Sequence, residues 1–567
     1  MGNFSLWSKI GAAVASGLLV AGLFPPVGMS GLVWVALVPL LVALWAITGK
    51  RAGWKGFFLG WLAGTVNNLL LFSWLMSVSW LAVAALGIYL GVYWGLFGAF
   101  AATLANPQRD APDHAVSKKH TVACRSLRVA FCLGAVWAGL EWLRSWMFTG
   151  FGWNPLGVAF GNAPLMAQAA DLLGTTGLSI LPVFFQTVAV QLVRRLWVNR
   201  AGNRGWPWLD LAVAAAVVGM VAGYGGWRLA TEGRGESVRL KALLVQINIP
   251  QDAAQVSWSA LDVHMAYEEE TLKALDHLRE NDPTHWPDWV MWPECALSGR
   301  ILRAGNGDWD MWQVNKETVA QVRMAGPFQL IMGANELEAE PDAGQLVMKD
   351  HGRAWNSLVV LSPDDVLQTY RKHHLVIFGE TIPFVDSVPF LKKIYEQQSG
   401  AEYGGSFTPG GSMDPLPIPT AKGTVIGTIP TVCFEDTVPR LVRKFVRPGP
   451  QVIANVTNDG WFKQSAGASQ HFANARFLAI ELRRPMLRCA NTGVTAAIDT
   501  TGSTAHPDTG QPQLLVDAHG SHFTRGSMLA ELNIPAHPSP TLYVMIGDWG
   551  VIAVALAGLL WAWLARR

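Results

Sequence analysis

Charged residues are scarce in this sequence, and their scarcity excludes a wholly soluble protein. Only 15% of the 567 residues are Asp, Glu, Lys or Arg, whereas soluble domains contain about 25%. Hydrophobic residues account for 51% of the chain, and the mean hydropathy is +0.25. The composition therefore predicts that a large part of the chain lies in a membrane.

The sequence also lacks an excess of either charge. Lys and Arg number 43 and Asp and Glu number 41, which leaves a net charge of +2. So small a net charge produces no strong field toward nucleic acid or acidic partners. We therefore expect no nucleic-acid partner, and we expect the basic residues to set the orientation of the chain in the membrane.

Cysteines are few, and no two of them are spaced as CxxC. The chain has five, an odd number that leaves at least one thiol free in an oxidising compartment. Cys132 lies in an apolar run and Cys124 in a basic loop, so we expect the cysteines outside the cytoplasm to be Cys295, Cys433 and Cys489.

Long apolar runs are abundant. A membrane-spanning helix needs about 20 apolar residues, and eight runs approach that length. These are residues 10–24, 31–48, 56–75, 80–104, 128–147, 178–196, 209–229 and 543–564. The first run could be a cleaved signal peptide, because it has a basic start and a short apolar core. Since its removal would break the alternation of basic loops, we expect it to be retained.

Lys and Arg cluster before the first run and after every even-numbered run, and positively charged loops stay in the cytoplasm. The basic residues concerned are Lys9, Lys50, Arg51, Lys55, Arg109, Lys118, Lys119, Arg125, Arg128, Arg194, Arg195, Arg200, Arg204, Arg566 and Arg567. We therefore expect both termini in the cytoplasm. The polar segment that follows the seventh run should then face the outside, which in a bacterium is the periplasm.

This polar segment, residues 238–538, contains more strand-like runs than helical ones. We predict strands at 240–247, 289–292, 330–333, 356–362, 425–431, 452–455 and 494–498, and helices near 261–279 and 470–483. The pattern predicts α/β layers, with residues 1–237 as a membrane domain of about seven helices and residues 539–567 as a last membrane helix. Residues 399–420 are rich in Gly, Pro and Ser and are predicted to form a long loop.

Three short motifs in the polar segment supply the side chains of a thiol enzyme. Glu294 ends Trp292-Pro293-Glu294, Lys372 ends Tyr370-Arg371-Lys372, and Cys433 begins Cys433-Phe434-Glu435. A carboxylate, an ammonium and a thiol can act as general base, oxyanion partner and nucleophile in the cleavage of an amide or ester. Their combination predicts such an enzyme.

Each motif taken alone has a simpler interpretation. Glu294 could cap a helix, Lys372 could belong to a solvated basic run, and Cys433 could be an inert buried thiol. His373 and His374 could suggest a metal, but neighbours in an extended chain point to opposite faces and no second cluster has ligand spacing. We therefore expect no metal.

The motifs resemble the apolipoprotein N-acyltransferase family, the membrane branch of the carbon-nitrogen hydrolase (nitrilase) superfamily. The resemblance covers nearly the whole chain. Outside the three motifs it includes Glu141-Trp142-Leu143-Arg144-Ser145-Trp146, Asn248-Ile249-Pro250-Gln251, Thr457-Asn458-Asp459-Gly460-Trp461-Phe462, Gln470-His471-Phe472 and Gly547-Asp548-Trp549. It implies a multi-span α-helical membrane protein of about eight helices with an inserted α/β nitrilase-like domain, an αββα sandwich.

The resemblance also implies a role for each site residue. Glu294 would be the general base, Lys372 would stabilise the oxyanion, and Cys433 would be the nucleophile. Glu380 would orient the lysine, and Glu435 would support the site.

The resemblance also gives roles to two tryptophans, and the sequence differs from the family at Phe434. Trp258 and Trp153 would contact the substrate. Phe434 stands where the family usually has tyrosine, so any role of that hydroxyl is absent here.

The resemblance further implies the reaction. A fatty acyl chain would move from a phospholipid, typically phosphatidylethanolamine, through a thioester on Cys433 to the N-terminal amine of diacylglyceryl-cysteine in lipoproteins, with no cofactor. A membrane-tethered nitrilase-type amidase would use the same three residues on a soluble amide but would not need residues 141–146. A transporter would need more ionisable residues in its spans, and a lipid-binding scaffold would be expected to lose some of the three residues.

Overall fold

The structure, a computed structural model, describes residues 4–109, 119–198, 208–252, 255–256, 258–377, 379–382, 390, 392–393, 396 and 405–567. The chain forms two compact units. The helical unit comprises Met1–Thr231 and Thr541–Arg567, and the sheet unit comprises Glu232–Pro540. The predicted boundaries at 237/238 and 538/539 lie close to these divisions, and the predicted domains themselves stay predictions.

The first part of the helical unit consists of α-helices. In the described residues these are α1 Leu6–Ala21, α2 Val38–Trp45, α3 Ala52–Leu71, α4 Trp80–Ala102, α5 Lys119–Trp146, α6 Pro164–Ala167, α7 Ala170–Leu178, α8 Ile180–Val198 and α9 Leu209–Thr231. Each of the first seven predicted apolar runs overlaps one of these helices.

Fewer helices meet the length and apolarity of a membrane span than the sequence predicted. Among the described residues, Trp80–Ala102, Val122–Trp146 and Leu209–Thr231 meet both, and α7 with α8 forms a fourth if this pair, bent by 54°, is counted as one span. The second predicted run is broken into the 3₁₀ helix Ser30–Trp34 and the short α2. The count of eight spans therefore stays a prediction.

Helices α3 and α4 approach each other through glycines. A Cβ atom on Gly60 would lie 2.2 Å from the Trp94 carbonyl oxygen, and one on Gly56 would lie 2.4 Å from the Gly98 carbonyl oxygen. Small residues four apart let two helix backbones pack closely in an apolar environment, where van der Waals contact drives helix association. These glycines determine the spacing of the two helices.

The sheet unit contains a nine-stranded sheet. Its strands are β1 Ser237–Gln246, β4 Trp289–Trp292, β5 Ile301–Ala304, β6 Trp309–Met311, β7 Gln329–Asp342, β8 Gln345–Met348, β9 Ala354–Leu361, β10 Leu367–Arg371 and β16 Gly526–Pro535. The main path of the sheet has the order β10-β9-β7-β4-β1-β16, and β5, β6 and β8 extend it beside β7. A small hairpin pairs β2 Gln251–Asp252 with β3 Gln255–Val256.

A second sheet of five strands has the order β11-β12-β13-β14-β15. Its strands are β11 Leu416–Pro419, β12 Val425–Val432, β13 Gln451–Thr457, β14 Met486–Ala490 and β15 Ala496–Ile498. The central strands β12, β13 and β14 are parallel, and β13 and β14 are buried along their whole length, as expected for a sheet covered on both faces.

The two sheets pack face to face with helices on the outside. The Cys489 thiol on β14 contacts the carbonyl oxygens of Val245 on β1 and Met291 on β4. Helices α10 Ala260–Asn281 and α11 Gln313–Arg323 cover the outer face of the first sheet. The short α12 Pro439–Val442 and the buried α13 Ala466–Leu482 belong to the second sheet's side. This αββα layering confirms the predicted fold of the sheet unit.

The predicted strands and helices of the sheet unit are present, and one predicted loop is partly wrong. Residues 416–419 form the edge strand β11, paired antiparallel with β12. Prolines mask the strand in the sequence, but an edge strand tolerates them because one side of its backbone has no strand to pair with. Residues 399–404 of the predicted loop lie outside the described residues.

The chain returns to the helical unit through two further helices. These are α14 Leu542–Ile546 and α15 Trp549–Leu564. Together they cover the eighth predicted apolar run.

We predict that Gly60→Ala destabilises the helical unit by about 1–3 kcal/mol, because the added methyl group overpacks the contact with Trp94. The measurement is thermal unfolding of the purified protein in detergent. Gly53→Ala on the same helix is the matched control, since its Cβ would meet the Thr103 methyl group at an ordinary 3.6 Å. Equal unfolding temperatures for the two variants would contradict the proposed packing.

Candidate active site

The ends of three strands bring Glu294, Lys372 and Cys433 together. Glu294 follows β4 after Pro293, Lys372 follows β10 directly, and Cys433 follows β12 directly. Strand ends commonly carry functional side chains, because the sheet holds the backbone rigidly while the side chain projects beyond the last hydrogen bond. The predicted residues therefore share one site in the sheet unit.

A glycine on β7 sets the position of Glu294. A Cβ atom on Gly333 would lie 2.4 Å from the Glu294 Cα atom. The Gly333 N–H donates to the Pro293 carbonyl at 3.1 Å, and the Ala296 N–H donates to the Gly333 carbonyl at 3.2 Å. Any larger residue at position 333 would push Glu294 away from the sheet.

Lys372 is buried between carboxylates. Its Nζ atom donates to Glu380 at 2.9 Å and lies 4.0 Å from Glu294 Oε1. The second distance is too long for a hydrogen bond but still within the range of an ion pair. An ammonium has three N–H donors. The two carboxylates fix the directions of the N–H groups that do not donate to Glu380.

Asn356 on β9 links the two carboxylates that face Lys372. Its Nδ2 atom donates to Glu294 Oε1 at 2.8 Å and to Glu380 Oε1 at 2.6 Å. The other oxygen of Glu380 accepts from the Val376 N–H at 2.8 Å. Glu380 therefore holds the Lys372 ammonium, and its own position is fixed by an amide and a backbone donor. Its role in orienting the lysine for catalysis stays a prediction.

Cys433 begins the short 3₁₀ helix Cys433–Thr437, which we call the Cys433 turn. The backbone of Cys433 has a φ of +53°, a left-handed conformation that costs a non-glycine residue about 1–3 kcal/mol. Asn455 on β13 fixes this bend by donating to the Cys433 carbonyl at 3.1 Å. The thiol lies close enough to the Glu294 carboxylate for the charge of Glu294 to act on it.

Glu435 ties the Cys433 turn to the lysine segment. Its carboxylate accepts from the Tyr370 hydroxyl at 2.9 Å and from the backbone N–H groups of His373 and His374 at 2.8 and 2.9 Å. It also accepts from the Val432 N–H at 2.9 Å. Glu435 therefore connects the segments that carry Lys372 and Cys433, and its supporting role in the reaction stays a prediction.

Burial and charge shape the ionisation of the three central groups. Burial raises the pKa of Cys433 well above its ordinary value, and the Glu294 charge raises it further while Lys372 lowers it. Burial also raises the pKa of Glu294, partly offset by Lys372. Burial would lower the pKa of Lys372, but Glu380 and Glu294 outweigh it and raise this pKa. The resting site therefore holds a thiol, a carboxyl group of increased basicity and a permanent cation.

The two histidines beside Lys372 pack against aromatic rings. His373 stacks on Tyr370 with centroids 5.4 Å apart, and His374 lies 5.5 Å from the Phe434 ring. Burial lowers the pKa of His374 to about 4, so this ring is neutral at neutral pH. Phe434 packs its apolar ring against His374, and its supporting role stays a prediction.

The two predicted substrate tryptophans lie in different units. Trp258 is partly buried and packs against the core of the first sheet. Trp153, in the helical unit, is 2% exposed and packs against Trp74 at 5.1 Å and Phe151 at 5.9 Å. Its carbonyl accepts from Arg144 Nη2 at 2.8 Å. The substrate-binding roles of both stay predictions.

Three residues with a part in the site were missed by sequence reasoning: Asn356, Tyr370 and Asn455. One signal was available for the two amides. Asn356 and Asn455 lie inside apolar strands, and a polar group that is buried in a strand usually has a specific partner. No local signal distinguishes Tyr370 from an ordinary strand tyrosine.

The arrangement can perform acyl transfer. Glu294 is placed to take the thiol proton of Cys433, and Lys372 provides a cation beside the same thiol for a developing oxyanion. Lys372 and Glu294 are almost fully buried, at 1% and 7% exposed, and Cys433 is partly buried. Charge interactions are stronger where water is excluded.

Comparison with known proteins gives matches to both units. A family model described as "Apolipoprotein N-acyltransferase N-terminal domain" matches residues 16–188, and one described as "Carbon-nitrogen hydrolase" matches residues 284–528. A protein of Geobacter metallireducens named apolipoprotein N-acyltransferase is 30% identical over 86% of this chain and 85% of its own length. Proteins of the same name from Bradyrhizobium diazoefficiens and Rhodopseudomonas palustris are 31% and 28% identical, over 74% and 98% of this chain and 70% and 95% of their own lengths.

Among solved structures, a carbon-nitrogen hydrolase from Helicobacter pylori is similar with a TM-score of 0.31 and 13% identity. It covers 58% of this chain and 96% of its own.

We predict that Asn356→Ala lowers the rate of acyl transfer about ten- to hundredfold. Glu294 and Glu380 each lose a hydrogen bond worth roughly 1–3 kcal/mol in a buried, charged setting, and their positions around Lys372 then relax. The measurement is the turnover rate together with the unfolding temperature. Asn533→Ala, at an exposed position of the same unit, should leave both unchanged. A normal rate in Asn356→Ala would exclude the bridging role.

Proposed function

The chain belongs to the apolipoprotein N-acyltransferase family, and from that premise we propose that its acyl transfer runs through a thioester on Cys433. The enzyme is an acyltransferase that moves a fatty acyl chain from a phospholipid to the N-terminal amine of diacylglyceryl-cysteine in lipoproteins. One observation supports the site above all others: a thiol, a carboxylate and an ammonium, each at the end of a different strand, meet in one buried site.

In the first half-reaction Glu294 takes the proton of the Cys433 thiol, and the thiolate attacks the ester carbonyl of the phospholipid. Lys372 stabilises the negative charge on the carbonyl oxygen of the tetrahedral intermediate. As the intermediate collapses, the ester C–O bond breaks, and Glu294 returns its proton to the departing lysophospholipid oxygen. The acyl chain remains as a thioester on Cys433.

In the second half-reaction the α-amine of the lipoprotein's N-terminal cysteine attacks the thioester carbonyl. Lys372 again stabilises the oxyanion, and Glu294 takes the proton that the amine loses. The C–S bond then breaks and the thiolate of Cys433 is regenerated, to be protonated by Glu294. Water must be excluded between the two steps, because hydrolysis of the thioester would waste the acyl chain.

The finer features of substrate and location belong to the same proposal. We propose phosphatidylethanolamine as the acyl donor, a periplasmic position for the sheet unit, and both termini in the cytoplasm. The alternation of Lys and Arg along the chain supports this orientation. The sheet unit continues into an apolar helix at each end, α9 before it and α14 with α15 after it, which fits an enzyme whose substrates are lipids of the same membrane.

The alternative, a membrane-tethered amidase with the same three residues, is not favoured. The relatives named apolipoprotein N-acyltransferase match across both units, and no feature of the described site selects a soluble amide. The two activities differ in what accepts the acyl group, which is water in the amidase and an amine in the transferase.

We predict that incubation with phosphatidylethanolamine alone produces lysophospholipid and an acyl adduct on Cys433, because the thioester forms before the second substrate binds. Mass spectrometry of the intact protein detects the adduct, and hydroxylamine should remove it. Adding a diacylglyceryl peptide with a free N-terminus should discharge the adduct, whereas the same peptide with a blocked N-terminus should not. Cys433→Ala should form no adduct, and Cys489→Ala is the matched control that should form it.

Two outcomes would contradict this proposal. Normal transfer by Cys433→Ala would exclude the thioester, and discharge by water as fast as by the peptide would favour the hydrolase. Glu294→Ala and Lys372→Ala should reduce adduct formation below detection while the protein still inserts into the membrane, because the three residues act as one unit.

We predict that Cys124, exposed on α5, reacts with a membrane-impermeant thiol reagent only after cells are permeabilised, because its flanking basic residues keep it in the cytoplasm. The measurement is mass-tag labelling in a Cys295→Ala, Cys433→Ala background. Glu340→Cys, at an exposed position of β7, should be labelled in intact cells. Labelling of Cys124 in intact cells would show that the number of spans before it is wrong.

A further inference from the structure

Four charged side chains form a fully buried cluster that the reaction above does not use. The charge cluster consists of Asp436, Asp459, His471 and Arg488, each at most 1% exposed. His471 Nε2 lies 2.8 Å from Asp436 Oδ1, and His471 Nδ1 lies 2.6 Å from Asp459 Oδ1. Arg488 donates to the other oxygen of each aspartate, at 3.2 and 3.3 Å. Two anions and two candidate cations thus alternate in a closed ring.

The cluster connects the Cys433 turn to three other elements. Asp436 belongs to the turn itself, three residues after the nucleophile, and Asp459 follows β13. His471 lies on α13 and Arg488 on β14. Because one side chain from each element meets in the ring, any change in its geometry or charge acts directly on the turn that carries the thiol.

The distances assign two protons to the His471 ring. Each ring nitrogen faces a carboxylate oxygen within 2.8 Å, and both can donate only if the ring is an imidazolium. Arg488 Nη2 also lies 3.0 Å from His471 Nδ1, but two donors cannot bond to each other, so we take Asp459 as the partner of Nδ1. The cluster then has a net charge of zero.

The direction of the pKa shifts agrees with this geometry. Burial alone would lower the pKa of His471, but Asp436 and Asp459 outweigh it and raise this pKa to about 9. Burial would raise the pKa of Asp459, but His471 and Arg488 lower it. At neutral pH the ring is therefore charged, and it loses its second proton only under alkaline conditions.

The cluster also acts on the thiol through space. The charge of Asp459 raises the pKa of the Cys433 thiol. While His471 and Arg488 balance both aspartates, the field at Cys433 is small. If His471 becomes neutral, the cluster has a net charge of −1 close to the position where the thiolate and the oxyanion develop.

We propose that His471, held as a cation between Asp436 and Asp459, is a positioning residue for Cys433. It keeps the charge cluster neutral and the Cys433 turn in the geometry that the acyl transfer requires. This inference rests on the proposed role of Cys433 as the nucleophile. Outside the cluster, His522 on a neighbouring segment also interacts with Asp459 and Arg488. Burial lowers the pKa of His522, so this ring is neutral at neutral pH.

The test measures the first half-reaction alone, as release of lysophospholipid from fluorescent phosphatidylethanolamine in a single turnover between about pH 6.5 and 10.5, a range that brackets the ordinary and the raised pKa of a histidine. This choice removes the titration of the amine substrate from the profile. The rate of the wild-type protein should fall above about pH 9. Lys372 does not cause this fall, because its pKa is raised above its ordinary value.

His471→Gln leaves the cluster with a net charge of −1 throughout this pH range, because both aspartates stay ionised there. We expect a rate about tenfold lower at neutral pH, corresponding to about one pKa unit at the thiol, and no further alkaline fall. The double variant Asp436→Asn, His471→Gln restores a neutral cluster. Its rate should return close to the wild-type rate, again without the alkaline fall. His519→Gln, at an exposed position, should reproduce the wild-type profile.

A merely structural role predicts the reverse order, with the double variant slower and less stable than the single one. That result, or an alkaline fall that persists in His471→Gln, would overturn the inference. Size-exclusion chromatography and unfolding temperature establish that each variant is folded, and the double variant keeps the test decisive if His471→Gln alone does not accumulate. Failure of the proposed function is distinguishable, since Cys433→Ala would then retain lysophospholipid release whatever the cluster variants do.

Discussion

The burial of one ammonium among three carboxylates is the interaction on which the site depends. Lys372 is 1% exposed, and the charges of Glu294, Glu380 and Glu435 all act on it. A buried ion costs several kcal/mol unless it is paired and hydrogen-bonded. Each carboxylate compensates that cost and also has a second partner. Glu294 faces the thiol, Glu380 accepts a hydrogen bond from Asn356, and Glu435 accepts one from the backbone beside the Cys433 turn. Removing any one group would leave the others buried without their partner.

A second set of buried charges lies on the other side of the nucleophile. Asp436, Asp459, His471 and Arg488 are balanced among themselves, and they connect the Cys433 turn to α13 and β14. The Cys433 turn is therefore held from two directions, by Glu435 toward the lysine segment and by Asp436 toward the second sheet. Such double attachment explains how a non-glycine residue at a φ of +53° keeps its conformation at the end of β12.

Much of the fold could be read from the sequence because local composition determines it. Apolar runs predicted the helices, since burying that surface in lipid or between helices is the main driving force available to them. Runs such as 289–292 and 425–431 predicted buried strands, and these conclusions need only residues that are neighbours in the chain. The motifs carrying Glu294, Lys372 and Cys433 predicted a thiol enzyme, and the family resemblance implied acyl transfer. The proline-bearing strand β11 escaped because its pairing partner, not its own composition, makes it a strand.

The tertiary structure alone decided which polar residues complete the site. Asn356 and Glu294 are 62 residues apart in sequence, and their side chains lie 2.8 Å apart. Gly333 must be a glycine because a Cβ atom there would lie 2.4 Å from the Glu294 Cα atom. The charge cluster likewise joins positions 436 to 488. The sequence by itself determined the chemical groups and the strands before Glu294 and Cys433, whereas β10, the strand before Lys372, was not predicted. Which buried amide, aspartate or histidine meets which partner depends on sheet order and strand register, and these are set by long-range packing that no local pattern encodes.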